Sequence, residues 1–154
     1  GNLIVNDLNY HLRANKKLID SLHLNFDEVK AEAVRILERQ PGVAFAADIP
    51  NIGKSAIPEP VKFMIANGYN PKRAGELIII PESGWFPSNG KGTTHGAWNP
   101  YDTHIPLIFM GWGITHGHTS KTYYMSDIAP TLATLLHIQM PSGNVGKVIT
   151  EIAK

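Results

Sequence analysis

Apolar and polar positions along the chain predict a succession of short elements. Ile4, Val5, Leu8, Tyr10 and Leu12 recur among polar neighbours at a rough period of two, the mark of a strand or strand pair. Asn25 then offers a helix cap, with Glu28 three residues later in a capping-box-like pattern. Val29, Ala33, Ile36 and Leu37 follow at helical spacing, Lys30, Glu32, Arg35 and Glu38 fall on the opposite side, and Pro41-Gly42 stops the helix. Residues 43–47 are a short apolar run that reads as a strand, and the prolines of residues 50–60 make a loop. Residues 61–66 read as a short helix with Pro58 and Pro60 near its first turn, stopped by Asn67-Gly68. Residues 77–80 are four aliphatic side chains between Gly75 and Pro81, three of them β-branched, which predicts a buried strand. The order is β-α-β-α-β, an α+β unit for which a split, ferredoxin-like sandwich is one available topology.

The second half is patterned differently. Residues 83–101 hold almost no aliphatic side chains, yet Trp85, Phe86 and Trp98 are too bulky for a flexible linker, so a structured loop is expected. Residues 105–110 read as a central strand, with turns at Gly111, Gly113 and Gly117. Ser126 or Asp127 is placed to cap a helix running to Leu136, with Pro130 in its first turn and Ile128, Leu132, Leu135 and Leu136 on one face.

Composition narrows the picture further. Hydrophobic residues make up 43% of the 154 and charged residues 18%, enough to bury a core. The formal charge is +1 with scattered Lys and Arg, so neither a nucleic-acid face nor a polybasic membrane patch is indicated. The apolar runs are too short to span a bilayer, and no signal stretch opens the chain. Cysteine is absent, which removes disulfides, thiolate zinc sites and thiol nucleophiles together. Asn2 to Val5 begins abruptly, as would a chain cut from something longer, and Gly1 reads as a cloning remnant.

Candidate chemistry rests on histidine. His11 lies in a strand-like segment, His23 in a loop before a helix, and His137 at a helix end, where it complements the dipole. His104, before the expected strand, reads as a structural hydrogen-bonded residue, and the His116/His118 pair as ordinary turn residues that could bind a metal together. His95 differs in its setting, Gly92-Thr93-Thr94-His95-Gly96, where flanking glycines let a tight backbone project one imidazole. Local reasoning leaves it either a loop residue or a zinc ligand. No phosphate loop, His-Glu-x-x-His helix or nucleophile elbow is present. Three ligands for a catalytic zinc cannot be assembled, so the chain reads as a non-enzyme or as part of an enzyme.

The run KGTTHGAWNPYDTHIPLIFMGWGI at residues 91–114 is similar to the final metal-ligand block of bacterial alkaline phosphatases. It most resembles the branch related to nucleotide pyrophosphatases and phosphodiesterases. The Asp-Ile-Ala-Pro-Thr-Leu run at residues 127–132, the Met-Pro-x-Gly-Asn-x-Gly run at residues 140–146, and residues 67–86 resemble the same enzymes in the same order. The likeness covers residues from about Val43 to the end, and more loosely the start. The resemblance implies a periplasmic or secreted phosphatase with two zinc ions and a Thr or Ser nucleophile that forms a phosphoryl-enzyme intermediate.

One ligand carries over, His95 as a metal ligand; no catalytic or other cofactor-binding residue does, because the Asp-His-Gly motif, further aspartates and the nucleophile have no match. The resemblance thus implies an inactive C-terminal fragment. Residues 1–90 would form a small α+β accessory subdomain, and residues 91–154 the last strand and helix of an incomplete core that is α/β in the parent. Such a piece exposes one face of its strand unless it self-associates, so a homo-oligomer is expected. The alternatives are a phosphodiesterase or nucleotide pyrophosphatase of the same superfamily, and a free-standing small binding domain in which His95 is structural.

Overall fold

The computed structural model describes residues 1–7, 9–86, 92 and 95–152. Leu8, and Lys91, Thr93 and Thr94 of the motif around His95, lie outside the described residues. The chain forms two compact units, residues 1–105 and residues 106–154.

The first unit is built on a four-stranded antiparallel sheet of β1 (Ile4–Asn6), β2 (His11–Ala14), β3 (Val43–Asp48) and β4 (Leu77–Pro81), ordered β1-β2-β4-β3. β1 and β2 are the strand pair that the alternating pattern predicts, in register Ile4 to Ala14. β4 pairs antiparallel with both β2 and β3, so β2 and β3 run parallel with β4 between them. That is the split arrangement the β-α-β-α-β order allows, here extended at one edge by β1. β4 is central, and its side chains are accordingly buried on both faces: Leu77 and Ile80 are within 2% of complete burial.

Helices α1 (Lys16–Ser21) and α2 (Phe26–Leu37) link β2 to β3, and α3 (Glu59–Gly68) links β3 to β4. Asn25 caps α2 as its position predicts, accepting from the backbone N–H groups of Asp27 (2.9 Å) and Glu28 (3.2 Å). α1 was not anticipated; its cap is Asn15, which accepts from the Leu18 N–H at 3.2 Å. α3 starts earlier than expected and continues through Asn67-Gly68. The core joins Ala47, Ile49, Ile57, Ile65, Ile78 and Ile80, with Phe45, Val61, Tyr69 and Trp98 packed against it.

One sequence expectation is reversed on α2. Lys30, placed by periodicity on the solvent side, is the buried residue of that helix, with 4% of its surface exposed. Its ammonium lies 2.8 Å from Asp48 Oδ2 and 3.1 Å from Asp27 Oδ1, and 4.9 Å from the centre of the Phe26 ring. Burial alone would lower the Lys30 pKa, but hydrogen bonds to Asp48 and Asp27 outweigh it and hold the group above the ordinary lysine range.

The second unit departs further from expectation. Residues 104–110 pair with no strand among the described residues, and Ile105, Leu107, Ile108 and Met110 are exposed, Met110 by 94%. Helix α5 (Ile128–Leu135) forms where predicted. Its buried residues are Pro130, Thr131 and Ala133, whereas Leu132 and Leu136 of the expected apolar face are exposed. Both corrections have one cause. A central strand and an apolar helix face need covering partners, and the described residues supply none for these surfaces.

What holds the second unit is a polar clasp. Asp127 does not cap α5 with its side chain, as its position suggested; it accepts from the Tyr124 N–H at 2.9 Å and from the Lys147 N–H at 2.8 Å. Thr131, fully buried, donates to the Asp127 carbonyl (2.6 Å) and accepts from the Ile149 N–H (2.9 Å). Gly146 must stay glycine here, because a Cβ would fall 2.0 Å from the Ser126 carbonyl oxygen. Lys121 hydrogen-bonds Glu151 beyond the clasp.

The hydrogen bond from Lys121, with the Tyr123 hydroxyl nearby, pulls the Glu151 carboxyl from its ordinary 4.5 down to about 2. A depressed carboxyl stabilises the fold above its unfolded pKa and loses that contribution as pH falls through the folded value. Amide exchange at Lys147 and Ile149 should therefore quicken as pH is lowered from 4.5 toward about 2, after correction for intrinsic rates. Lys121→Ala should flatten the profile; an unchanged profile in that variant would assign the tail's hold to the clasp alone.

Candidate functional site

The loop after β4 is fastened at three points. Trp85 lies over Gly42, whose φ of +80° suits glycine and where a Cβ would meet the indole at 2.1 Å. The Tyr101 hydroxyl accepts from the Gly84 N–H at 2.9 Å, tying the beginning of the loop to its end. Trp98 packs on the sheet's core. Two of the bulky aromatics that argued against a linker, Trp85 and Trp98, are thus among the fastenings, although Trp85, like Phe86, keeps an exposed face.

This loop presents His95. Its imidazole Nδ1 is 3.1 Å from Asp102 Oδ1, while Asp102 Oδ2 accepts from the backbone N–H groups of Gly96 (2.9 Å) and Ala97 (2.8 Å). Asp102 stands on α4 (Pro100–Thr103), a single turn begun by Asn99-Pro100 and closed by the His104 N–H donating to the Pro100 carbonyl at 3.0 Å. The two side chains differ sharply in burial, with His95 94% exposed and Asp102 11% exposed. The hydrogen bond to His95, followed by those from Ala97 and Gly96, holds the Asp102 carboxyl below its ordinary range against the opposing effect of burial. Tyr10, from the turn between β1 and β2, approaches Gly96; burial and then the Asp102 charge push its phenol pKa up.

Asp102 drew no attention in the sequence beyond its place in the Tyr-Asp-x-His run; the signal that could have found it is its spacing of seven residues from His95 across a proline-started turn. His104 is exposed, and its backbone rather than its ring does structural work at α4. His137 has a φ of +53° just past α5, where the Ile138 N–H reaches back to the Ala133 carbonyl at 3.0 Å, a left-handed helix ending. His116 and His118 are exposed in the second unit.

A catalytic zinc takes three protein ligands. Among the described residues no three His, Asp or Glu side chains converge. An exposed imidazole backed by a carboxylate has the donor chemistry of one such ligand, and the site's residues fit a zinc ion to that extent.

Comparison with known proteins bears on what this loop belongs to. No family model matches the chain. It is 52% identical over 130 residues to alkaline phosphatase PhoV of Synechococcus elongatus, covering 84% of this chain and 24% of that protein. It is 45% identical over 152 residues to alkaline phosphatase PafA of Elizabethkingia meningoseptica, covering 98% of this chain and 28% of PafA. The crystal structure of wild-type PafA superposes with a TM-score of 0.93 at 44% identity, over 99% of this chain and 30% of that one. By sequence and by fold, the chain is a relative of bacterial alkaline phosphatases.

A protein of Myroides odoratus named calcium-transporting ATPase is also similar, at 44% identity over 93% of this chain and 26% of its own length. The chain spans about a quarter of the length of these curated relatives. No helix among the described residues is long and apolar enough to cross a membrane. The first unit sets helices against an antiparallel sheet, the α+β class that the patterning predicts.

Proposed function

We propose that this chain is the C-terminal part of a periplasmic or secreted zinc-dependent phosphomonoesterase, to which it contributes His95 as one zinc ligand. The observation that carries the reading is the match to two alkaline phosphatases at 45–52% identity across most of the chain, at a TM-score of 0.93 to one of them. The outward imidazole of His95 supports the ligand role. When bound, two zinc ions would stabilise the attacking and leaving oxygens of a phosphoryl transfer. The Thr or Ser nucleophile and the remaining ligands belong, on this reading, to the part of the relatives' length that this chain does not span.

Alone, the chain is then inactive, and the exposed apolar side chains of residues 105–112 drive it to self-associate. Incubated with zinc at alkaline pH, it should hydrolyse a chromogenic phosphate monoester no faster than background, and it should elute from a sizing column above the mass of a monomer. Zinc-dependent turnover by these 154 residues would overturn the reading, since it would require a whole site within the chain. The full-length protein should be offered a phosphodiester and ATP beside the monoester, the latter because one relative is named an ATPase. Preference for the diester would move the assignment to the phosphodiesterase alternative.

A further inference from the structure

We propose that Asp102 is a positioning residue that sets the tautomer of His95, so that Nε2 carries the lone pair offered to the metal. The inference rests on the reading of His95 as a ligand, and it concerns which nitrogen binds and what compels it. Asp102 Oδ2 is committed to the loop, accepting from Gly96 at 2.9 Å and Ala97 at 2.8 Å. That pair of backbone donors fixes the carboxylate plane and leaves Oδ1 beside His95 Nδ1 at 3.1 Å. An ionised carboxylate only accepts hydrogen bonds, so Nδ1 must be the protonated nitrogen. In a neutral imidazole the lone pair is then on Nε2.

Burial adds a second argument. A ring that is 94% exposed is not oriented by packing, whereas the carboxylate behind it is 11% exposed and anchored by three hydrogen bonds. The hydrogen bond to Asp102 therefore ties the Nδ1 edge of the ring to a fixed carboxylate. Metal-bound histidines commonly donate their other ring N–H to such a partner, and loss of the partner costs about 10–100-fold in metal affinity or activity.

Asp102→Asn tests this with an isosteric change. The two backbone donors require an oxygen, so the asparagine must turn its carbonyl toward Gly96 and Ala97 and its amide NH2 toward His95. An NH2 can only donate to Nδ1, which moves the ring proton to Nε2. Long-range 1H–15N NMR of the metal-free 154-residue chain, at a pH where the spectrum itself shows the ring neutral, should show His95 protonated at Nδ1 in the wild type and at Nε2 in Asp102→Asn. The Gly96 and Ala97 amide resonances should stay in place, which separates a tautomer switch from a disordered loop.

In the zinc-loaded full-length protein, competition with a chelator should show zinc held about 10–100-fold more weakly in Asp102→Asn. A ring proton that does not move would overturn the proposal whatever zinc does. A proton that moves with no change in zinc affinity would also overturn the positioning role, provided His95→Ala loses the metal. If His95→Ala keeps its zinc, the ligand reading itself fails, and the metal half of the proposal falls with it.

Discussion

In the full-length, zinc-loaded protein, His95→Ala should lose the metal at one position and more than about 100-fold in phosphomonoester turnover. The bound is set by comparison, because an outer partner of a ligand is worth about 10–100-fold and the ligand bonds the metal directly. The fold should not suffer, since the imidazole is 94% exposed and buries nothing. Zinc content, turnover and the unfolding midpoint measured on one preparation decide the matter. Unchanged zinc and turnover would remove His95 from the site, while a lowered midpoint with the metal retained would return it to an ordinary loop residue.

The largest expected effect on stability is at Lys30. Replacing one member of a buried ion pair strands the other, at a cost of about 3–5 kcal/mol. Here the stranded group is Asp48, 17% exposed, whose Oδ1 is buried and has no hydrogen-bond partner among the described residues even with Lys30 in place. Among the described residues its Oδ2 would keep the Asn51 amide at 2.8 Å. Lys30→Met preserves much of the side-chain volume, so urea unfolding should report mainly the electrostatic loss. Adding Asp48→Asn to that variant should recover part of it.

The raised Lys30 pKa means that this contribution is complete below the unfolded value of 10.5 and is lost as pH rises through the folded one. The wild type and Lys30→Met should thus converge only in strong alkali. A difference of about 0.5 kcal/mol or less at neutral pH, the usual range for surface substitutions, would mean that water solvates Asp48 after all.

These two residues show what the sequence brings to notice and what it hides. His95 stands out as a candidate because glycines bracket it and because the run around it resembles a known metal-ligand block. Its partner Asp102 does not, since a carboxylate seven residues away gives no sign that a one-turn helix will fold it back onto the ring. Lys30 was misplaced for a related reason. Helical periodicity assigns it to the polar face, yet Asp48, on another element, draws it inward and neutralises the cost of burial. α1 escaped notice because six residues give periodicity too little length, although Asn15 carried the capping signal.

Local chemistry sufficed for the elements themselves. Asn25 starts α2, alternation makes β1 and β2 a pair, and a run of aliphatic side chains buries β4, because each depends on neighbours close in sequence. Tertiary structure alone decided that β4 lies between β2 and β3, that Asp127 and Thr131 clasp the tail instead of merely starting a helix, and that residues 104–110 form no strand. An apolar pattern records that a surface seeks cover. Whether cover is present depends on what else the chain brings to that surface, and for Met110 and Leu136 the described residues bring nothing.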